Sequence, residues 1–408
     1  QDRSRYDLIV LPMANTFGGS SGIHALQENH LLTIEAVRQM WHRLKTDGMI
    51  VVSCWLDTPP RASLKLIATA CAALAGLGAD PAEHIMALKG WGTFTMLVKR
   101  SAIRPADLVN LHAFCEKLAF DPLLPMVNTS AKSREYGPRQ EGWSSIAAQI
   151  ISDHANAGAY DFNIDPATDD RPYFSQFLTL RGLARLKNDY GSGMVPFFEL
   201  GYLILIVTAL LISFLACILI LLPLMKSRPS RPLPTLLYFA GLGAGFLFLE
   251  IAFIQYALAY LGAPMYAAAI VIGGVLFFSG LGSLTSGWMS QAYRIVPAMI
   301  AALILLYAMG FARLLQLASA QPMAARIAVL LIAIAPIAFC MGMPFPLGLS
   351  RLPREDVPWA WGVNGCLSVM SAPAASIIAV ELGFSRVMLF AALAYVVAWL
   401  GLICKRYA

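Results

Sequence analysis

No histidine follows His154, and only 13% of the residues carry a charge. The first absence leaves the C-terminal half without imidazole ligands for a haem. The second argues against an ordinary soluble protein, in which roughly 25% of residues are charged and about 45–50% are apolar. Here the apolar share is 58%, which points to a membrane protein. The seven cysteines, at 54, 71, 115, 217, 340, 366 and 404, form no CxxC, CxxCH or zinc-type spacing. They read as buried free thiols. His24 to Glu28 is not HExxH, so no metal is expected. The net charge of +6 comes without a dense basic block interleaved with aromatics, so no nucleic-acid partner is expected. Its natural place is at loop ends beside a lipid bilayer.

What is present divides the chain in two. Residues 1–189 read as an α/β domain and residues 190–408 as a polytopic membrane domain. The run Tyr6 to Leu11 suits a strand buried on both faces, as in a parallel sheet. A loop from Asn15 to Gly22 follows, rich in Gly and Ser. Ile34, Val37, Trp41 and Leu44 recur at helical spacing over Thr33–Lys45, and Asp47-Gly48 reads as the close of that helix. Met49–Trp55 is a second buried strand, and Pro59-Pro60 starts a helix reaching Ala75. His84–Leu88 and Thr93–Lys99 flank Gly90-Trp91-Gly92 as a hairpin. A helix over Arg104–Ala119, a loop over Asp121–Gly142 and a helix over Trp143–Ala155 complete the expectation.

This order matches the C-terminal half of a Rossmann-like, class I methyltransferase-type sheet. No GxGxxG or GxGxG turn precedes the first strand. The chain is therefore read as a fragment, or as one half of a split protein. An upstream polypeptide or N-terminal half is expected to complete the sheet, since an open edge invites pairing.

The second part holds about seven runs near 20 residues, long enough to span a bilayer, so a bundle of about seven transmembrane helices is expected. Gly241 and Gly245, and Ser283 with Gly287, offer small-residue contacts between helices. Pro336, Pro344, Pro346 and Pro373 interrupt helical runs. Glu250, Gln255 and Asn364 stand at membrane depth, as a proton or substrate path or as interhelical hydrogen bonds. Lys226, Arg228, Arg231, Arg351, Arg354, Lys405 and Arg406 share one side and would set it in the cytoplasm, with residues 1–189 outside. Arg181, Arg185 and Lys187 argue the other way, and the fold tips the reading to a cytoplasmic α/β domain.

Several stretches resemble the membrane-integrated branch of the bacterial spermidine synthase-like proteins. They are Tyr6–Val10, Leu26–Ala36, Leu44–Gly48, Pro59–Arg61 and Pro166–Phe174. In the membrane part they are Phe248–Gln255, Met341–Pro346 and Trp359–Gly365. The resemblance implies the bacterial inner membrane and an aminopropyl or methyl transferase. The cofactor would be S-adenosylmethionine or its decarboxylated form, bindable only if the missing half is supplied and not by this chain alone. The family places an aspartate just after the first strand here as the base for the attacking amine. This chain reads Leu11-Pro12-Met13-Ala14-Asn15 there, with no acid before Glu28.

The candidate residues follow. Glu28 and His30 are a possible acid/base pair, or helix-capping residues. Asn15, Thr16, Gly18 and Gly19 would line a ligand cleft at the strand ends. Asp169, Asp170 and Arg171 read as an ion-pair clamp between the domain and the membrane surface, or as a cation site. Two further readings stand beside the transferase. One is a non-catalytic assembly subunit of a membrane complex with other subunits, and the other is a transporter-like bundle with a regulatory domain.

Overall fold

The computed structural model describes residues 4–14, 26–125, 143–152, 160–191, 200–222 and 232–407. It divides into two units, residues 1–204 and 205–408.

The first unit is built on β1 (Tyr6–Leu11), β2 (Leu44–Trp55), β3 (Ile85–Lys89), β4 (Thr93–Lys99) and β5 (Asp121–Leu124). These form one mixed sheet in the order β1-β2-β4-β3-β5, with β1 parallel to β2 and every other pair antiparallel. Six helices accompany it: α1 (Ile34–Arg43), α2 (Ala62–Ala75), α3 (Pro81–His84), α4 (Pro105–Leu118), α5 (Trp143–Ser152) and α6 (Leu180–Tyr190). Strand alternation sends Ile50, Val52 and Cys54 of β2, with Phe94, Met96 and Val98 of β4, to one face. There they pack with Leu64, Ile67, Cys71 and Leu74 of α2. Each fully buried aliphatic side chain of this kind contributes roughly 1.5–3 kcal/mol. Met86 and Leu88 of β3 pack under Leu111 and Cys115 of α4.

The hairpin of β3 and β4 forms where expected. Other expectations fail. Asp47-Gly48 does not cap α1, which ends at Arg43 with Leu44 already extended. Both residues lie inside β2, and a Cβ at Gly48 would stand 2.8 Å from the Tyr6 carbonyl. The glycine thus serves strand pairing. The stretch Asp121–Gly142 is not all loop, because Asp121–Leu124 adds β5 beside β3. Pro122 argues against a strand in sequence, but an edge strand tolerates it. A buried Lys89–Asp121 pair at 3.6 Å holds that strand in place.

Strand β1 is the opposite edge. Tyr6, Leu8 and Val10 are 42%, 54% and 49% exposed, although β1 pairs in parallel, a setting in which both faces are normally covered.

Among the described residues, seven helices are long and apolar enough to cross a membrane, the mark of a multi-pass membrane protein, and all but the first lie wholly in the second unit. These are α7 (Leu200–Ala216, continued by a π-helical turn), α8 (Pro232–Leu261), α9 (Pro264–Thr285), α10 (Val296–Leu317), α11 (Met323–Met341, followed by the short α12, Pro344–Leu349), α13 (Val357–Leu382) and α14 (Phe384–Tyr407). Glycines set the close contacts. Cβ atoms at Gly241 and Gly245 of α8 would strike Ala394, Ala398 and Tyr395 of α14, so the expected GxxxG is a true helix interface. Ser283 and Gly287 are exposed and make no such contact. Gly282, one residue away, lies against the Phe339 carbonyl, and Gly342 lies against the Ser279 carbonyl. Pro336 and Pro373 sit inside continuous helices, and the fifth span breaks instead at Gly342-Met343.

Asn364 of α13 donates to the Phe239 carbonyl at 3.2 Å, and Ser368 to the Gly243 carbonyl at 3.3 Å. Gly243 makes room for this, because a Cβ there would collide with the Asn364 main chain. Asn364→Ala should destabilise the bundle by about 0.6–1.7 kcal/mol, the range for hydrogen bonds between membrane helices. Gly243→Leu should cost more. Reversible unfolding in mixed micelles measures both, and an unchanged midpoint for Gly243→Leu contradicts the packing described.

Candidate functional site

The carboxyl end of β1 runs through Pro12 and Met13 to Ala14, where the Ala14 amide donates to the Ser53 carbonyl of β2 at 2.7 Å. Asn29 reaches this strand end by donating its side-chain amide to the Ala14 carbonyl at 3.4 Å. The segment from Glu28 to Glu35 is thereby set beside the sheet edge. Asn15, Thr16, Gly18 and Gly19 lie outside the described residues.

The same segment meets the stretch Ala167–Tyr173. Thr33 caps α1 by accepting from the Ala36 amide, and its hydroxyl lies 2.7 Å from Asp169 Oδ1. Glu35 accepts from the Asp169 amide at 2.9 Å. The Ile34 and Asn29 amides donate to the carbonyls of Ala167 and Pro172. Two stretches some 136 residues apart in sequence are thus joined by main-chain and side-chain bonds at once.

Inside this joint sit the titratable groups. His30 Nε2 lies 3.5 Å from Glu28 Oε2, and its Nδ1 lies 3.9 Å from Asp169 Oδ1. These are ion-pair distances, longer than good hydrogen bonds. Glu28 Oε2 and His30 Nε2 are both buried and have no hydrogen-bond partner. Asp169 first, and Glu28 second, raise the His30 pKa to about 9 against the opposing effect of burial. The imidazole is therefore protonated at neutral pH. It is a donor and a counter-charge, not the base of the expected acid/base pair. Burial, with the charge of Glu28 beside it, pushes the Tyr173 phenol well above its ordinary value.

The three motif residues separate in role. Asp169 belongs to the cluster. Arg171 instead pairs with Asp165 at 3.5 Å and closes a tight turn through its amide on Thr168. Asp170 is half buried. The partners described for Asp169 and Arg171 all lie within the first unit.

Two cations that are not among the candidate residues support the joint. Lys65 of α2 is only 2% exposed and donates to the carbonyls of Tyr173 and Gln176 at 3.4 and 3.0 Å. Its ammonium lies 5.3 Å from the Phe177 ring. Arg61 pairs with Asp57 at 3.3 Å and lies between the rings of Phe162 and Phe177. The signal available for Lys65 was its place one helical turn after Arg61.

In the membrane unit, Glu250 and Gln255 are half buried, and no hydrogen bond of either side chain is among those described. Asn364 alone of the three makes an interhelical bond.

The described residues at the β1 end, Leu11 to Ala14, include no carboxylate to hold a ribose. No protein family, no curated protein and no solved structure matches this chain.

The raised His30 pKa has a sign that can be tested. Protonated His30 contributes stability that is complete below about pH 6.5 and is lost as pH rises through about 9. Thermal unfolding of the first unit in the intact protein should soften across that window. His30→Gln should remove that part of the slope, and an unchanged slope in this variant contradicts the assignment.

Proposed function

We propose that the chain is a membrane-integrated spermidine synthase-like protein of the bacterial inner membrane, acting in transfer of an aminopropyl or methyl group to an amine. The observation that carries this reading is the cluster of Glu28, His30 and Asp169 at the carboxyl end of β1. It joins the two stretches on which the resemblance chiefly rests. Glu28 and Asp169 flank the one imidazolium, and Glu35 accepts from the Asp169 amide, an excess of negative charge that suits an ammonium substrate. Glu28, whose Oε2 faces His30 at 3.5 Å, is the carboxylate placed to take a proton from such a nucleophile. Protonated His30 holds it in place. This arrangement would do the work of the aspartate that the family sets after the strand.

The half-covered sheet supports a Rossmann-like domain completed from outside these residues. The exposed Tyr6, Leu8 and Val10 would lie under the completing segment, which would also bring the cradle for S-adenosylmethionine or its decarboxylated form. The same edge supports the second reading, a non-catalytic assembly subunit whose partner docks there. Catalysis and assembly differ in what the joined protein binds.

Isothermal titration of the assembled protein should therefore show binding of one of the two S-adenosyl compounds. Turnover should release S-adenosylhomocysteine for methyl transfer or methylthioadenosine for aminopropyl transfer. Glu28→Gln should lower turnover by about 10²–10⁴-fold, as for loss of a general base. Binding of neither compound leaves the assembly reading.

These cofactors are cytoplasmic, so the transferase reading sets the first unit in the cytoplasm. Arg185, one of the basic residues favouring that side, is engaged by Asp161 at 3.0 Å, which makes an independent test necessary. A cysteine introduced at the exposed Lys117 (Lys117→Cys) should resist a membrane-impermeant maleimide in intact spheroplasts and react in inverted vesicles. Labelling in spheroplasts sinks the transferase reading.

A further inference from the structure

Two guanidinium groups share one phenol at one end of the membrane unit. Arg351, just after α12, lies with its guanidinium 3.8 Å from the centre of the Tyr293 ring. Arg294 lies 5.6 Å from the same centre and donates from Nε to the Tyr293 hydroxyl at 3.1 Å. Arg351 also donates to the main-chain carbonyls of Leu347, at 2.8 Å, and Ser290. Among the described residues, no carboxylate pairs with either arginine. Two like charges drawn to one ring, and left without an anion, repel each other. A bound anion relieves that repulsion, and a guanidinium fork matches phosphate oxygens in particular.

The surroundings identify the source of the phosphate. The segment 290–295 connects two spanning helices, α9 and α10, so it lies where headgroups lie. Trp288, two residues before it, is 86% exposed, and Ile295, its last residue, is 63% exposed. Tryptophan and tyrosine at the ends of spanning helices form the belt at the headgroup level. The cleft beside Tyr293 and Arg351 has a volume of about 20 Å³, room for a water and not for a headgroup. A ligand held by both arginines therefore lies outside this cleft.

We infer that Arg294 and Arg351, stacked on Tyr293, form a headgroup site for an anionic phospholipid. The phosphate is gripped by the two guanidinium groups, and the acyl chains lie along α9 and α10. Arg351 orients its charge through the Leu347 and Ser290 carbonyls. Arg294, exposed and tied among the described residues to Tyr293, closes over the phosphate.

The test uses the full chain in nanodiscs of phosphatidylcholine with increasing phosphatidylglycerol. Bound lipid is read by native mass spectrometry and thermal stability by intrinsic fluorescence. Phosphatidylglycerol should be retained in preference to phosphatidylcholine and should raise the midpoint. Arg294→Gln should weaken the preference about fivefold, the effect of one basic residue near an anionic surface. This variant loses only an exposed side chain, so its folding is not in question. Arg351→Lys, which keeps the charge and loses the fork, should weaken it as well. Equal retention of the two lipids, or an Arg294→Gln protein with undiminished preference, overturns the inference. So does an equal rise in the midpoint when inorganic phosphate is added to pure phosphatidylcholine discs, since the anion would then be free phosphate.

Discussion

The first unit depends on what Thr33 and Asp169 do together. Thr33 is wholly buried, and its hydroxyl oxygen both caps α1 and meets a carboxylate from a distant stretch. A helix start leaves several amides without partners, so such a cap contributes about 0.5–2 kcal/mol. Here the cap is also a joint. Glu35, in the first turn of α1, accepts the Asp169 amide and completes a reciprocal pair. Any change that loosens one stretch therefore frees the end of a helix in the other. The geometry of Glu28 and His30 follows from this, because both residues ride on the segment so fixed.

Beneath the joint, charge is used in an unusual place. Lys65 lies within a helix that is buried along most of its length, and its ammonium is satisfied by carbonyls and ring faces with no carboxylate among its described bonds. Truncating such a group would leave two buried carbonyls short of a donor, at about 1–3 kcal/mol for each unsatisfied group. Arg61, one turn earlier, presses on the Phe177 ring that Lys65 also faces. Phe174 and Phe177 are thus part of a lining for two cations.

The spans were legible because about 20 apolar residues in a row have few other uses, and the hairpin because its strands alternate around a glycine turn. Strand β5 was hidden by Pro122 and by its dependence on a partner strand that only folding supplies. Gly48 was misread because a glycine after a helical pattern serves equally as a cap or as a close strand contact. At the candidate site, the residue types at Glu28, His30 and Asp169 were visible, and their meeting was not. The protonation of His30 is a property of that meeting, since it arises from two carboxylates that approach from different parts of the chain. Lys65 gave only its place one helical turn after Arg61, because a lysine on an apolar helix carries little pattern of its own.

The pairing of α13 with α8 works as a vernier. Asn364 and Ser368 are one helical turn apart, and so are the carbonyls of Phe239 and Gly243 that they meet. A slip of one turn, about 5.4 Å, would offer Asn364 the Gly243 carbonyl and leave its hydrogen bond intact. Polar matching alone therefore permits two settings. The missing side chain at Gly243 selects between them, because the next position along that row is Leu247, which carries a bulky group where Asn364 would need bare main chain. The two helices can tilt about this contact, but they cannot be dealt out in a second register.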